Sequence, residues 1–145
     1  MGKIYAILMI LLFGLVQSSN ADEYCGDYAY KIKTQIKDKY STYLGATEFT
    51  PELKAIFIND AERIKNFYLS MEKKHAENIV ASGSTGNNVR NSDCRDWILS
   101  LGDFSSTISV QASRLEKGKY NEDEDESIVM YFFNEYLEAV LDGYE

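Results

Sequence analysis

Apolar side chains recur three or four residues apart in four segments of the 145-residue chain, and this spacing is typical of amphipathic α-helices. The first segment runs from Cys25 to Leu44 and stops at Gly45, since glycine commonly follows a helix end. The second starts at Thr50, a favourable helix cap that is followed by proline and glutamate. No proline interrupts it, so we predict a helix that continues to Ala81.

The third and fourth helices are predicted from the same spacing. Ser92 or Asp93 caps the third helix, which ends near a glycine flanked by lysines, Lys117 to Lys119. A bend at Gly102 is left open, because glycine weakens a helix interior. The fourth helix extends from Glu122 to the last residue.

The fourth helix is apolar around most of its circumference. Its later acids form one narrow stripe at helical spacing: Glu135, Glu138, Asp142 and Glu145. Apolar or aromatic side chains cover the rest of the helix surface. A helix of this kind is buried on most sides. We therefore expect the other three helices, or a partner, to enclose it.

These four segments predict an all-α fold, an antiparallel four-helix bundle with short connections. No strand alternation of useful length and no internal repeat occurs. In such a bundle the first and third helices run parallel and begin at the same end. Cys25 and Cys94 each lie in the first turn of one of these helices, so we predict a disulfide between them.

Residues 1–21 have the features of a secretory signal peptide: Lys3, then the apolar run Ile4 to Val16, then small residues up to Ala21. The run is too short for a permanent anchor. Cleavage leaves residues 22–145 as a single helical domain with one core. We expect a secreted protein, periplasmic or extracellular, without a membrane anchor.

The charge is concentrated at one end of the chain. The net charge is −8, and residues 120–145 hold nine of the 23 acids and no base. Nucleic acid and anionic membranes would be repelled by this segment, which argues against them as partners. A cationic partner and a simply solvated acidic face both remain open.

No group of residues predicts catalysis, a metal site or a cofactor. His75 is the only histidine and lacks the further ligands or partners that zinc binding or base catalysis requires. A haem held by His75 and Met130 is excluded, because the predicted topology places them at opposite ends. A calcium loop starting at Asn121 fails, since Glu126 and Phe132 occupy the positions that require glycine and glutamate.

The leading functional hypothesis is therefore a non-enzymatic binding protein, of the inhibitor or immunity type, that occludes a basic protein. Its acids would steer the encounter and its aromatic side chains would anchor the complex. The predicted partner-binding residues are Glu122, Asp123, Glu124, Asp125, Glu126, Tyr131, Glu135, Tyr136, Glu138 and Asp142.

Two alternatives stay open. In the first, the protein is a helical carrier of a small apolar ligand, held in a cavity with aromatic walls. Its walls would be Phe57, Phe67, Phe104, Phe132 and Phe133. In the second, two copies pair through the fourth helix to form a homodimer, with the acidic stripes facing outward.

Overall fold

The computed structural model describes residues 26–82 and 89–142, which form four helices and no strand. The first helix, α1, covers residues 26–40 and is followed by a single 3₁₀ turn, Ser41–Tyr43. Three longer helices follow: α2 Pro51–Ser82, α3 Val89–Glu116 and α4 Glu122–Asp142. The predicted all-α fold is confirmed over the described residues.

The ends of several helices follow the local signals in the sequence. Leu53 donates its backbone N–H to Thr50 Oγ1 at 3.2 Å, so Thr50 caps α2 as predicted. After α3, Gly118 has a φ of 65°, which glycine adopts without strain. The N–H of Lys119 donates to the carbonyl of Arg114 at 2.8 Å, and that of Gly118 to Leu115 at 3.2 Å. These two bonds satisfy carbonyls that the end of a helix would otherwise leave open.

The predicted start of α3 was wrong. The helix begins at Val89, so Ser92 and Asp93 lie inside it and not at its start. The physical reason is that no proline or glycine lies between Val89 and Ser92, so nothing there stops the helix from extending toward its N-terminus.

Gly102 of α3 lies directly against the side chain of Tyr68 of α2. A Cβ atom at this position would approach Tyr68 Cε2 to 2.8 Å, closer than side chains tolerate. α3 runs through Gly102 without interruption. The glycine therefore allows close packing of two helices and does not end one.

Hydrogen bonds between α1 and α2 fix their relative direction. The Tyr28 hydroxyl lies 3.1 Å from Ser70 Oγ, and the Tyr40 hydroxyl donates to Asp60 at 2.7 Å. Because an early residue of α1 pairs with a late residue of α2, and a late one with an early one, the two helices are antiparallel.

α3 and α4 are antiparallel by the same reasoning. Trp97 Nε1, early in α3, donates to the backbone carbonyl of Val140 at 3.0 Å. Arg114, late in α3, binds Asp125 at 2.7 Å. The arrangement agrees with the predicted helical bundle.

The centre of the bundle is filled by aromatic rings from all four helices. The Phe133 ring centroid lies 5.5 Å from that of Phe57 and 6.0 Å from that of Phe104. Tyr40 meets Phe104 edge-to-face at 5.4 Å. These are the separations at which aromatic pairs attract, and all four side chains are buried.

The other helices of the chain cover one side of α4, and enclosure of the remainder by a partner stays a prediction. One side of α4 contributes Val129, Met130, Phe133, Leu137 and Val140 to the core. On the other sides, Ile128 and Tyr131 remain 56% and 63% exposed, and Phe132 remains 39% exposed. Three neighbouring helices cover only one side of α4, and its remaining apolar side chains contact solvent.

Some predictions fall outside the described residues. The signal peptide, residues 1–21, is among them, and so is Cys25. Because Cys25 is not described, the Cys25–Cys94 disulfide stays a prediction. Cys94 itself is buried. Within the described ranges, no helix is both long and apolar enough to cross a membrane.

Candidate protein-binding surface

α4 presents one continuous stripe of exposed side chains, spaced alternately four and three residues apart, which places them on one side of a helix. We call this stripe the outer face of α4. It consists of Glu124, Ile128, Tyr131, Glu135, Glu138 and Asp142, all of them exposed. Among the residues that the structure describes, none of its four acids forms an ion pair.

Some acids of the run that begins α4 bind other groups of the same chain, and the others are exposed to solvent. Glu122 binds Lys54 Nζ at 2.7 Å, and this hydrogen bond and the charge of Lys54 hold the pKa of Glu122 below its usual value. Asp125 binds Arg114 at 2.7 Å and accepts the backbone N–H of Asn121 at 3.2 Å. These acids stabilise the start of α4, where the helix dipole also favours negative charge.

Glu126 is likewise engaged within the chain. Its Oε1 accepts the backbone N–H of Phe49 at 2.8 Å, in the connection between the 3₁₀ turn and α2. Of the five consecutive acids, only Asp123 and Glu124 are exposed without an ion pair in the described part of the chain.

Aromatic rings flank the outer face on the side of α3. Phe132 stacks on Tyr136, with centroids 5.8 Å apart and an interplanar angle of 14°. Tyr131 meets Phe132 edge-to-face at 5.4 Å. Partial burial and the nearby carboxylate of Asp103 raise the pKa of Tyr136, so it stays a neutral hydrogen-bonding group at physiological pH. Exposed aromatic side chains are typical of binding surfaces.

The buried side of α4 is anchored by a contact that the sequence analysis missed. Asn134 Oδ1 accepts the backbone N–H of Gly45 at 2.8 Å, and Asn134 Nδ2 donates to the carbonyl of Ala46 at 2.8 Å. One side chain thereby satisfies two polar groups of the turn that follows α1. Together with the bond from Trp97 to Val140, it fixes α4 at two points.

A second missed group is the buried carboxylate of Asp60, which is 2% exposed. It binds Arg63 Nε at 2.6 Å and Lys39 Nζ at 3.2 Å, in addition to the Tyr40 hydroxyl. Burial raises the pKa of Asp60, but the hydrogen bonds from Arg63, Tyr40 and Lys39 outweigh it and the net pKa is lowered. A signal was available, since Asp60 occupies an apolar-stripe position between Phe57 and Ile64.

The described residues give no support to metal chemistry. They contain no group of three or more histidine, cysteine, aspartate or glutamate side chains that could hold a metal ion. His75 is half-buried, and burial and the charge of Arg95 lower its pKa.

The structure places the five aromatic residues of the carrier hypothesis in different surroundings. Phe133 contacts both Phe57 and Phe104, and all three side chains are fully buried. Phe67 is only partly buried, and Phe132 lies on the surface. Three of the five rings therefore pack within the core and one lies at the surface, and the carrier alternative stays a hypothesis.

The chain matches no protein-family model, no curated protein and no solved structure. Only the geometry of this chain therefore indicates what it does.

The structure divides the predicted partner-binding residues into three groups. Glu124, Tyr131, Glu135, Glu138 and Asp142 lie together on the outer face. Tyr136 lies beside it, half-buried under Phe132, and Asp123 is exposed at the start of the helix. The remaining three bind groups of the same chain: Glu122, Asp125 and Glu126.

Proposed function

We propose that the protein is a secreted, non-enzymatic binding protein that captures a cationic protein and blocks it by occlusion, as an inhibitor or an immunity protein does. The observation that carries this proposal is the outer face of α4. Four acids without ion pairs in the described part of the chain lie there together with an exposed isoleucine and an exposed tyrosine.

The electrostatics favour a protein partner with a basic surface. Acids that are already paired gain little from a new cation, whereas the outer-face acids are hydrated and available. Such charges speed the diffusional encounter and select against acidic partners. The adjacent aromatic rings provide apolar area that can be buried once the partner arrives.

The scaffold suits a surface that binds without rearranging. α4 is held by Asn134 at its middle and by Trp97 near its end, and its inner side packs into a core of aromatic rings. A preformed surface loses less conformational freedom on binding than a flexible one.

Secretion and the disulfide belong to the same proposal. Asn134, in the middle of α4, binds Gly45 and Ala46 just past the end of α1, and Leu141, seven residues later, borders a groove that α1 lines along its length. The second half of α4 therefore runs along α1 toward the start of α1. Trp97, three residues after Cys94, bonds to Val140. The start of α1 and the first turns of α3 therefore lie at one end of the bundle, an arrangement that supports the Cys25–Cys94 pairing.

Affinity capture with matched variants tests the proposal. The oxidised protein would be immobilised and exposed to a secreted or envelope extract at low and moderate salt, with mass spectrometry to identify what binds. The test variant is Glu135→Gln/Glu138→Gln/Asp142→Asn. The control variant, Asp38→Asn/Glu62→Gln/Glu116→Gln, makes the same change in net charge at exposed positions on α1, α2 and α3.

We expect the wild type and the control variant to retain a basic protein in stoichiometric amount, and this retention should weaken as the salt concentration rises. The test variant should not retain it. Equal retention by both variants would show that binding does not use the outer face of α4 and would contradict the proposal.

A further inference from the structure

A groove with a volume of about 200 Å³ runs between α3 and α4 beside the outer face. We call it the seam groove. Val110 of α3 and Ile128 and Phe132 of α4 form its apolar walls, and Thr107 and Gln111 contribute polar groups. Val110 and Ile128 are each more than half exposed.

We propose that the seam groove takes one apolar or aromatic side chain from the cationic protein that the outer face attracts. The inference rests on the proposed function and adds the chemistry of the recognised segment: an apolar anchor flanked by lysine or arginine. Pockets for drug-sized ligands have volumes of about 300–1,000 Å³. This groove is smaller and suits a single side chain.

The charges around the groove identify its occupant. Asp103, Glu124 and Glu135 lie one helical turn from groove residues and are exposed. In the described part of the chain none of them is in an ion pair, whereas the nearby Arg114 is neutralised by Asp125 at 2.7 Å. An apolar side chain that enters the groove therefore brings its neighbouring residues close to three acids, which favours basic neighbours.

The side chain of Gln111 supports the inference independently of the charges. Its Oε1 is screened from solvent and accepts no hydrogen bond from the described residues. A buried acceptor without a donor is unfavourable, and native proteins contain few of them. Gln111 lines the groove, so a donor from a bound segment is one way to satisfy this acceptor.

A second copy of this chain fits the groove less well. Pairing two α3–α4 surfaces would bring two acidic outer faces together, and like charges repel. The basic partner removes this repulsion and also neutralises the acids.

The test uses two lysine-rich peptides that are identical except at one central position, which is phenylalanine in one and alanine in the other. Each is titrated calorimetrically into the purified protein and into three variants. Val110→Ser and Ile128→Ser remove the groove walls, and Leu69→Ser changes an exposed apolar residue of α2. Thermal melting by circular dichroism verifies that each variant is folded.

We expect the phenylalanine peptide to bind the wild type about tenfold more tightly than the alanine peptide, as for one packed apolar anchor. Val110→Ser and Ile128→Ser should reduce that preference to about twofold or less, and Leu69→Ser should leave it unchanged.

Two results would overturn the inference alone. One is equal, salt-sensitive binding of both peptides, which would keep the charge-based proposal and remove the anchor. The other is self-association of the wild type that Val110→Ser and Ile128→Ser abolish, which would assign the groove to a second copy. If neither peptide binds, or if salt has no effect, the proposed function fails together with the inference.

Discussion

The hydroxyl of Tyr40 donates a hydrogen bond to Asp60 Oδ2 at 2.7 Å, and both side chains are buried. This bond links the last residue of α1 to the third turn of α2. Arg63 and Lys39 bind the same carboxylate from the solvent side. The pair places a charged group at the edge of an otherwise apolar core, and the stability of the α1–α2 contact depends on it.

Removing either partner should destabilise the protein. We expect Tyr40→Phe to lower the free energy of unfolding by about 1 kcal/mol, the usual net contribution of one hydrogen bond. Asp60→Asn should cost more, about 2–3 kcal/mol, because bonds to a charged group are stronger. Denaturant unfolding measures both, with the exposed neighbour substitution Glu62→Gln as a control near zero. An Asp60→Asn variant as stable as the wild type would contradict this account.

The same carboxylate makes stability depend on pH in a defined direction. Hydrogen bonds outweigh burial and hold the folded-state pKa of Asp60 below its usual value of 3.8. The stabilisation is therefore fully present above that value and is lost as the pH falls through the lower, folded-state pKa. We expect the stability difference between wild type and Asp60→Asn to be constant near neutral pH and to shrink below about pH 4. A difference that grows on acidification would show the opposite shift.

Sequence reasoning located the helices because each has a regular apolar stripe, and it located the ends that carry a local signal, Thr50 and Gly118. It failed at Val89, where the true start of α3 has no such signal. It also left undecided how much of α4 the other helices of the chain cover. Periodicity shows which side chains are apolar, but it does not show how many neighbouring helices are available to cover them.

The candidate surface was predicted only in part, for a similar reason. The acidic side chains of Glu122 and Glu124 look alike in the sequence, yet Glu122 binds Lys54 and Glu124 is left without an ion pair among the described residues. Which acid meets a base depends on residues 68 positions apart. The groove between Val110 and Phe132 likewise exists only after α3 and α4 have packed.

Asn134 should control how firmly α4 is attached to the turn after α1. Asn134→Ala removes the acceptor for Gly45 N–H and the donor to the carbonyl of Ala46. We expect a loss of about 1–3 kcal/mol in unfolding free energy and faster amide hydrogen exchange at Gly45. Glu138→Ala, an exposed substitution one turn later, should change neither quantity. Unchanged exchange at Gly45 in Asn134→Ala would mean that other contacts hold the turn.

The predicted disulfide can be tested by counting thiols. Protein purified without reductant and unfolded in denaturant should show no free thiol, because the chain contains only Cys25 and Cys94. Reduction should then lower the free energy of unfolding by about 4 kcal/mol, the entropic effect of opening a loop of this length. Two reactive thiols in the unreduced, unfolded protein would exclude the bond.

The central claim is that the outer face of α4 is the binding surface, and carboxyl footprinting of the captured complex tests it most directly. Exposed acids would be labelled with a carbodiimide and an amine, with and without the partner, and located by mass spectrometry. The account predicts that labelling of Glu124, Glu135, Glu138 and Asp142 falls in the complex while labelling of Asp38 and Glu62 does not change. Full labelling of the α4 acids in the complex, with protection elsewhere, would contradict it.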